Sequence, residues 1–267
     1  MDVSDAVVKF RRAQEHLAVL DLELRRLKDS DPYTVWHGQM DEDSGWCDGY
    51  VRQDLLTDSS ATVILGDYVG NLRACLNYLA SALVRASGID VLSTVHAFPV
   101  FTSRTKYDKQ VVRAGVKRAG MLAGVTIGLD VVRRHQPFEY SKSNPEHDPL
   151  AVLQDLTNTD KHRYPATVMF RPEGVQIFSI EGVTPTEQWG TDALDLRLGE
   201  DIKVAAFRFD RPFPSELHVE ASLSGRQVIG RPTRVIGLHS EGEAIPVEML
   251  NDIQERVLKI VQEVHAL

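Results

Sequence analysis

The hydrophobic period of this chain changes at Pro165. Before it, apolar residues recur at steps of three and four; after it, they alternate with polar ones. A helical first part followed by a two-period second part restricts the chain to an α+β fold: an N-terminal helical bundle, then a mainly antiparallel β-sheet, then a C-terminal helix. At 267 residues the chain is long enough for one large or two modest domains, and for a substantial core. We read residues 1–165 as a helical region with a short hairpin-like insertion near 33–56. Residues 166–267 read as a β-rich region closed by the last helix. The two also suit one integrated domain.

The helical stripes are explicit. Val7, Phe10, Ala13, Leu17, Leu20, Leu24 and Leu27 predict a helix over 2–29, stopped by Asp31-Pro32. Leu65, Val69, Leu72, Leu76, Leu79 and Leu83 predict a second over 61–86, with Gly88 as its left-handed cap. Arg73 sits at the margin of that stripe, about 80° from it. Gly66, Gly70 and Asn77 share its side, small residues that would admit a close neighbouring helix. His96 to Val100 read as a buried extended connector. A third helical region over 106–135 carries Gly115, Gly120, Gly124 and Gly128, which mark close packing or a break, and Pro137 ends it. Asp148 is placed as an N-cap and Pro149 as the first helical residue of a helix over 149–163.

Beyond Pro165, stretches 167–170 and 175–180 flank Arg171-Pro172-Glu173-Gly174, a hairpin signature. Further strands are expected over 194–198, 204–209, 217–223 and 234–238. Alternation through Leu217, Val219, Ala221 and Leu223 predicts a sheet with one covered face. Pro246 opens a helix to His265 with Leu250, Ile253, Val257, Ile260 or Val261, and Val264 inward.

Composition removes several function classes. The net charge of −8 argues against a general nucleic-acid coat. Cys47 and Cys75 are the only cysteines, too few for a disulfide framework or an all-cysteine zinc site, so a reduced, cytoplasmic protein is expected. The first five residues are acidic and lack the apolar core of a secretory signal. The most membrane-like stretch, 121–132, would span ~18 Å as a helix against ~30 Å of hydrocarbon. Phosphate-loop, zinc-helix and nucleophile-elbow motifs are missing. His147-Asp148 is a weak metal pair because Asp148 has the capping role. Cys75 reads as packed, and Cys47 has no basic neighbour in sequence to activate it. The spacing Arg234-x4-His239 lies in strand-like sequence. No metal and no cofactor are expected.

One polar constellation stands out. Asn158-Thr159-Asp160-Lys161-His162-Arg163 places several reactive side chains at the end of the Pro149 helix. On a helical wheel Asp160 and Arg163 share the apolar side of Leu150, Val152, Leu153 and Leu156, where a mutual ion pair would offset their desolvation. Asn158 and His162 lie together on the other flank with Asp155. Lys161, His162 and Arg163 also complement the helix dipole, so a purely architectural role competes with a ligand-binding one.

Several blocks recur in one order: Gly66-Asp67-x-x-x-Asn71-Leu72-Arg73-x-x-Leu76-x-Tyr78-Leu79, Phe98-Pro99, Gln136-Pro137-Phe138, and Pro149-Leu150-x-x-Leu153-x-x-Leu156-x-Asn158-x-Asp160-Lys161-His162-Arg163. Together they resemble a widespread uncharacterised bacterial family, over roughly the first 165 residues. That resemblance implies a shared polar site built from Asn71, Arg73, Asn158, Asp160, His162 and Arg163. A looser likeness is to HEPN domains, small helical bundles that often act as metal-independent ribonucleases. Their active helix carries an Arg, often followed by Asn, with a His a turn or so later. Asn158 and His162 match, but Thr157 stands where the Arg is expected. Arg73 from another helix would then supply the cation, with His162 as general acid or base. Residues 104–134 add a local excess of six positive charges, with Lys109, Arg113 and Lys117 spaced for one helical face that would meet phosphate. No adjacent aromatic array is evident for base stacking.

The leading expectation is a binding or interaction protein with a polar site on the helical region. Asn71, Asp160, Lys161 and Arg163 serve that site as ligand-binding or structural residues. The alternative is a HEPN-like ribonuclease of a defence or toxin system, with His162, Asn158 and Arg73 as its candidate catalytic residues. The expected partner is RNA or protein, a second copy of the chain included, and not a membrane.

Overall fold

The computed structural model describes residues 1–29, 33–53, 59–90, 96–112, 121–122, 124–162, 167–180, 185–190, 200–211, 219–230 and 245–267. Its helices are α1 (Ser4–Asp29), α2 (Ser59–Ala86), α3 (Arg104–Tyr107), α4 (Leu129–Arg134), α5 (Pro137–Tyr140), α6 (Pro149–His162) and α7 (Met249–His265). Its strands are β1 (Tyr33–His37), β2 (Trp46–Gln53), β3 (Thr167–Ile180), β4 (Glu187–Gly190), β5 (Asp201–Arg208), β6 (Val219–Gly230) and β7 (Ile245–Pro246). The fold is α+β. Its two compact units interleave along the chain: Met1–Asp21, Thr62–Ala166 and Val247–Leu267 form a helical unit, and Leu22–Ala61 with Thr167–Pro246 form a sheet unit.

The helical unit follows its apolar stripes. Ala6, Phe10, Ala13, Leu17 and Leu20 of α1 are buried, as are all six leucine and valine positions predicted on α2. Each such fully buried leucine contributes about 1.5–3 kcal/mol of transfer free energy. Both Ile260 and Val261 of α7 are buried, with Leu250, Ile253, Val257 and Val264. The buried Tyr68 hydroxyl donates to the Leu250 carbonyl at 2.6 Å, tying α2 to the first turn of α7. Gly88 takes φ +74° and closes α2 as a left-handed cap. No described helix is long and apolar enough to cross a membrane.

Among the described residues the third helical region is broken, as its glycines allow, while Pro137 plays a different part from the one expected. The described residues there hold α3, a π-helical turn (Asp108–Val112) and α4, and Pro137 opens α5 instead of ending a helix. Gly124 and Gly128 explain the break, with φ of +79° and +77°. A Cβ at Gly128 would also lie 2.6 Å from Leu83 Cδ2, so this glycine serves both turn and packing. At Gly70, by contrast, an added Cβ would meet nothing within 4 Å, so among the described residues no helix approaches there.

The sheet unit holds two antiparallel sheets, ordered β1-β2-β5-β4 and β3-β6-β7. The hairpin read as an insertion in the helical region is the pair β1–β2, and β2 pairs along β5. The last helix, read as closing the β region, groups with the helical unit. The expected hairpin at 171–174 is instead an interruption within one continuous strand. β3 pairs with β6 from Thr167 to Ile180, with a register shift between Pro172 and Gly174. Pro172 has no N–H to donate, so a bulge there removes nothing from the ladder that the sequence could supply. β5 begins at Asp201, three residues before the predicted strand start, and β6 runs on to Gly230. The predicted strands over 194–198 and 234–238 lie outside the described residues.

Candidate functional site

The blocks at Arg73, Phe98-Pro99 and Gln136 meet in one place. Among the described residues, 96–101 pair with no strand; the Ala97 N–H donates to the Met121 carbonyl at 3.2 Å, and other backbone groups are met by side chains. Asn77 Oδ1 accepts from the Phe98 N–H at 3.2 Å, and Arg73 Nη2 donates to the Phe98 carbonyl at 2.8 Å. Asn77 lies one turn beyond Arg73 on α2, which lets both side chains grip one residue of the connector. Gln136 holds the next stretch. Its Nε2 donates to the Pro99 carbonyl at 2.8 Å and to the Val132 carbonyl at 3.1 Å, and its Oε1 accepts from the Phe101 N–H at 3.0 Å. Phe98 and Gln136 are fully buried. Burial pushes the Arg73 guanidinium down to about 10. It remains charged at neutral pH, and among the described residues its Nη1 has no hydrogen-bond partner.

Other predicted residues stand apart from this strap. Asn71, two positions before Arg73 and so on a different face of α2, bonds to the Asp67 carbonyl at 2.7 Å and accepts from Lys9 Nζ at 3.4 Å. Asn158 is exposed and accepts from Gln154 Nε2 at 2.8 Å. Thr157, the position where the HEPN pattern places arginine, is buried and donates to the Leu153 carbonyl at 2.7 Å. His162 is the final residue of α6. The side chains of Asp160, Lys161 and His162 lie outside what the structure describes, as does Arg163, so the expected Asp160–Arg163 pair does too. Among the described residues, no hydrogen bond or ion pair joins Arg73 to Asn158.

The structure describes one residue of the proposed phosphate face. Lys109 is exposed, and Arg113 and Lys117 lie outside the described residues. Arg133 lies 3.6 Å from Glu139, and Arg134 lies 3.6 Å from Asp130 and 3.4 Å from Glu263. Glu139, just past the counted stretch, and Glu263, distant in sequence, thus stand against Arg133 and Arg134.

A second buried polar cluster had no sequence signal beyond its N-cap. Asp148 is fully buried and caps α6 as predicted, accepting from the Leu150 N–H at 2.9 Å and from Ser141 Oγ at 2.7 Å. Arg256 of α7 is buried, donates to the His135 carbonyl at 3.1 Å, and sets its guanidinium carbon 3.1 Å from the Tyr140 ring centroid. His135 Nε2 lies 3.2 Å from Glu263 Oε1. Burial, reinforced by Arg256, pushes the His135 imidazole below its ordinary range despite Glu263. An arginine inside an amphipathic helix reads as a surface residue, which is why periodicity passed over it. The cluster anchors α7 to the α4–α5 junction.

The cysteines are unpaired and buried. Cys47 Sγ donates to the Gly38 carbonyl at 3.3 Å, and His37 Nδ1 lies 4.0 Å from the sulfur. Burial and then Asp48 push the Cys47 thiol up, away from the thiolate a nucleophile needs. Burial pushes Cys75 up to about 12. Among the described residues, no group of three metal-ligating side chains gathers. No family model, no curated protein and no solved structure matches the chain.

Proposed function

We propose that this chain acts by binding, as an interaction protein whose helical unit carries the recognising polar groups, and not by cleaving RNA. The supporting observation is the placement of Arg73. The cation that a composite ribonuclease site would borrow is buried and donates to the Phe98 carbonyl. Thr157, at the other position where an arginine would serve, is buried against the core. What α6 offers outward is the Gln154–Asn158 amide pair, and the sequence adds Lys161 and His162 in its last turn. Such groups recognise a partner through hydrogen bonds and charge without chemistry.

The likeness to the bacterial family belongs to the same proposal. Its first three blocks contain Arg73, Phe98-Pro99 and Gln136 of the strap, which supports an architectural reason for their joint occurrence. Two buried, unpaired thiols suit a reducing cytoplasm. The test is incubation of the full chain with labelled single-stranded RNA in a metal chelator. Intact RNA is expected. Cleavage that His162→Ala abolishes, with circular dichroism unchanged, would overturn the binding reading in favour of a HEPN-like ribonuclease.

A further inference from the structure

The solvent face of the four-stranded sheet gathers aromatic rings that are far apart in sequence. Residues that pair across strands share a face, and alternate residues along a strand return to it. Trp36 pairs with Tyr50, which pairs with Lys203. Trp189 pairs with Ala206, which pairs with Asp48, and Trp46 stands two residues before Asp48. The register shift at Gly49–Tyr50 leaves Val204 as an extra residue on β5, so Lys203 and Ala206 lie on the same side. The 2.7 Å contact between Lys203 Nζ and Asp48 Oδ1 agrees with that placement. Cys47, Val51 and Phe207 take the opposite, buried face. All three tryptophans of the chain therefore stand on one side of one sheet.

The rings are open. Trp36 is 36% exposed and Trp189 is 52% exposed. Trp36 is stacked on Tyr50 with centroids 4.5 Å apart and planes 15° from parallel, and its Nε1 donates to Asp201 at 3.2 Å. From β1 to β4 the face spans three strand spacings, about 14 Å. Between the aromatic ends lies the ion pair Lys203–Asp48 at 2.7 Å, and two more flank them along the strands: Arg52–Asp201 at 3.8 Å beside Trp36 and Arg208–Glu187 at 2.8 Å beside Trp189. Three cations cancel three carboxylates.

That charge balance selects the ligand. A nucleic-acid strand needs a positive track beside its stacking rings. The core of a protein interface is poor in charged residues, and here charges occupy the centre. A neutral molecule with flat C–H faces and hydroxyl edges meets both features. The negative faces of aromatic rings attract polarised C–H groups. Exposed ion pairs are held weakly, so their oxygens and N–H groups are readily shared with hydroxyls. We infer that this sheet face binds a neutral oligosaccharide, with sugar rings lying on Trp36 and Trp189 and hydroxyls bonding to the charged groups between them. The inference is independent of the reading of the helical unit.

Because every tryptophan lies on this face, the tryptophan emission of the full chain reports on it. The probes are cellohexaose, laminarihexaose and maltohexaose. At least one is expected to shift the emission saturably, with an affinity that added salt leaves unchanged. By calorimetry, Trp36→Ala and Trp189→Ala each weaken that binding by about tenfold, while Trp189→Phe retains it. Trp189 is the more exposed, so its variant carries the test if Trp36→Ala disturbs the sheet. The inference is overturned if none of the three sugars binds, or if the tryptophan variants bind like wild type. It is equally overturned if single-stranded RNA binds this face with steep salt dependence, or if the face proves to be buried in a dimer of the chain by sedimentation.

Discussion

The helical unit turns Arg73, Gln136 and Arg256 inward, whereas the four-stranded sheet turns its ion pairs outward. Arg73, Gln136 and Arg256 each donate to backbone carbonyls from buried positions. Arg52, Lys203 and Arg208 pair with carboxylates from positions that are two-fifths or more exposed. The two arrangements differ in what they tolerate. A buried donor or acceptor that loses its partner costs about 1–3 kcal/mol, so its partner is fixed by the fold. An exposed ion pair is worth about 0–1 kcal/mol, so it is free to exchange its partner for a ligand. The buried polar residues of the helical unit thus hold the architecture together, whereas the paired charges of the sheet face stay open to solvent.

The largest effect is expected at Gln136. Gln136→Leu keeps the volume but leaves the Pro99 carbonyl and the Phe101 N–H without their partner, and should cost about 2–4 kcal/mol in chemical denaturation. A loss below about 1 kcal/mol would erase the contrast between inward and outward polarity. A smaller effect, visible as a pH slope, belongs to His135. Its imidazole is held below 6.5, mainly by burial and by Arg256, with Lys259 opposing protonation and Glu263 favouring it. Between the folded value and about 6.5 the unfolded chain binds more protons, so stability rises with pH in that window and falls as pH drops below about 6.5. His135→Gln should flatten this part of the stability–pH curve, and an unchanged slope would show that His135 titrates alike in both states. The smallest effect is expected at Arg208. Arg208→Ala loses the 2.8 Å contact with Glu187 and should move stability by less than about 1 kcal/mol. A shift as large as that of Gln136→Leu would place the sheet face in the same architectural class as the strap.

Much of the helical unit was legible in the residues themselves. The α2 stripe, the Gly88 cap and the Asp148 N-cap depend on neighbours within a turn or two, and each appears where its spacing placed it. Legibility failed where one local signature fits two structures. Pro172 and Gly174 read as a turn, yet the same residues suit a bulge once β6 lies alongside. The candidate site was less legible than the fold. Arg73 was visible as a marginal charge on an apolar helix, but its partner is a carbonyl 25 residues away. Arg134 belongs to a stretch with a local excess of positive charge, and the fold brings Glu263 to 3.4 Å from it. No local pattern could reveal that Trp36, Trp46 and Trp189 share a face, because that depends on strand order and on one bulge.

The residues alone determined the α+β class, the apolar stripes and the ends marked by Gly88 and Asp148, because hydrophobic period and capping act over distances shorter than a helix. Only the tertiary structure decided that Arg73 grips Phe98, that Arg256 lies against the Tyr140 ring, and that three tryptophans line one sheet. Those outcomes follow from chain topology: a polar or aromatic side chain acquires its role from the group it meets, and that group comes from a distant segment.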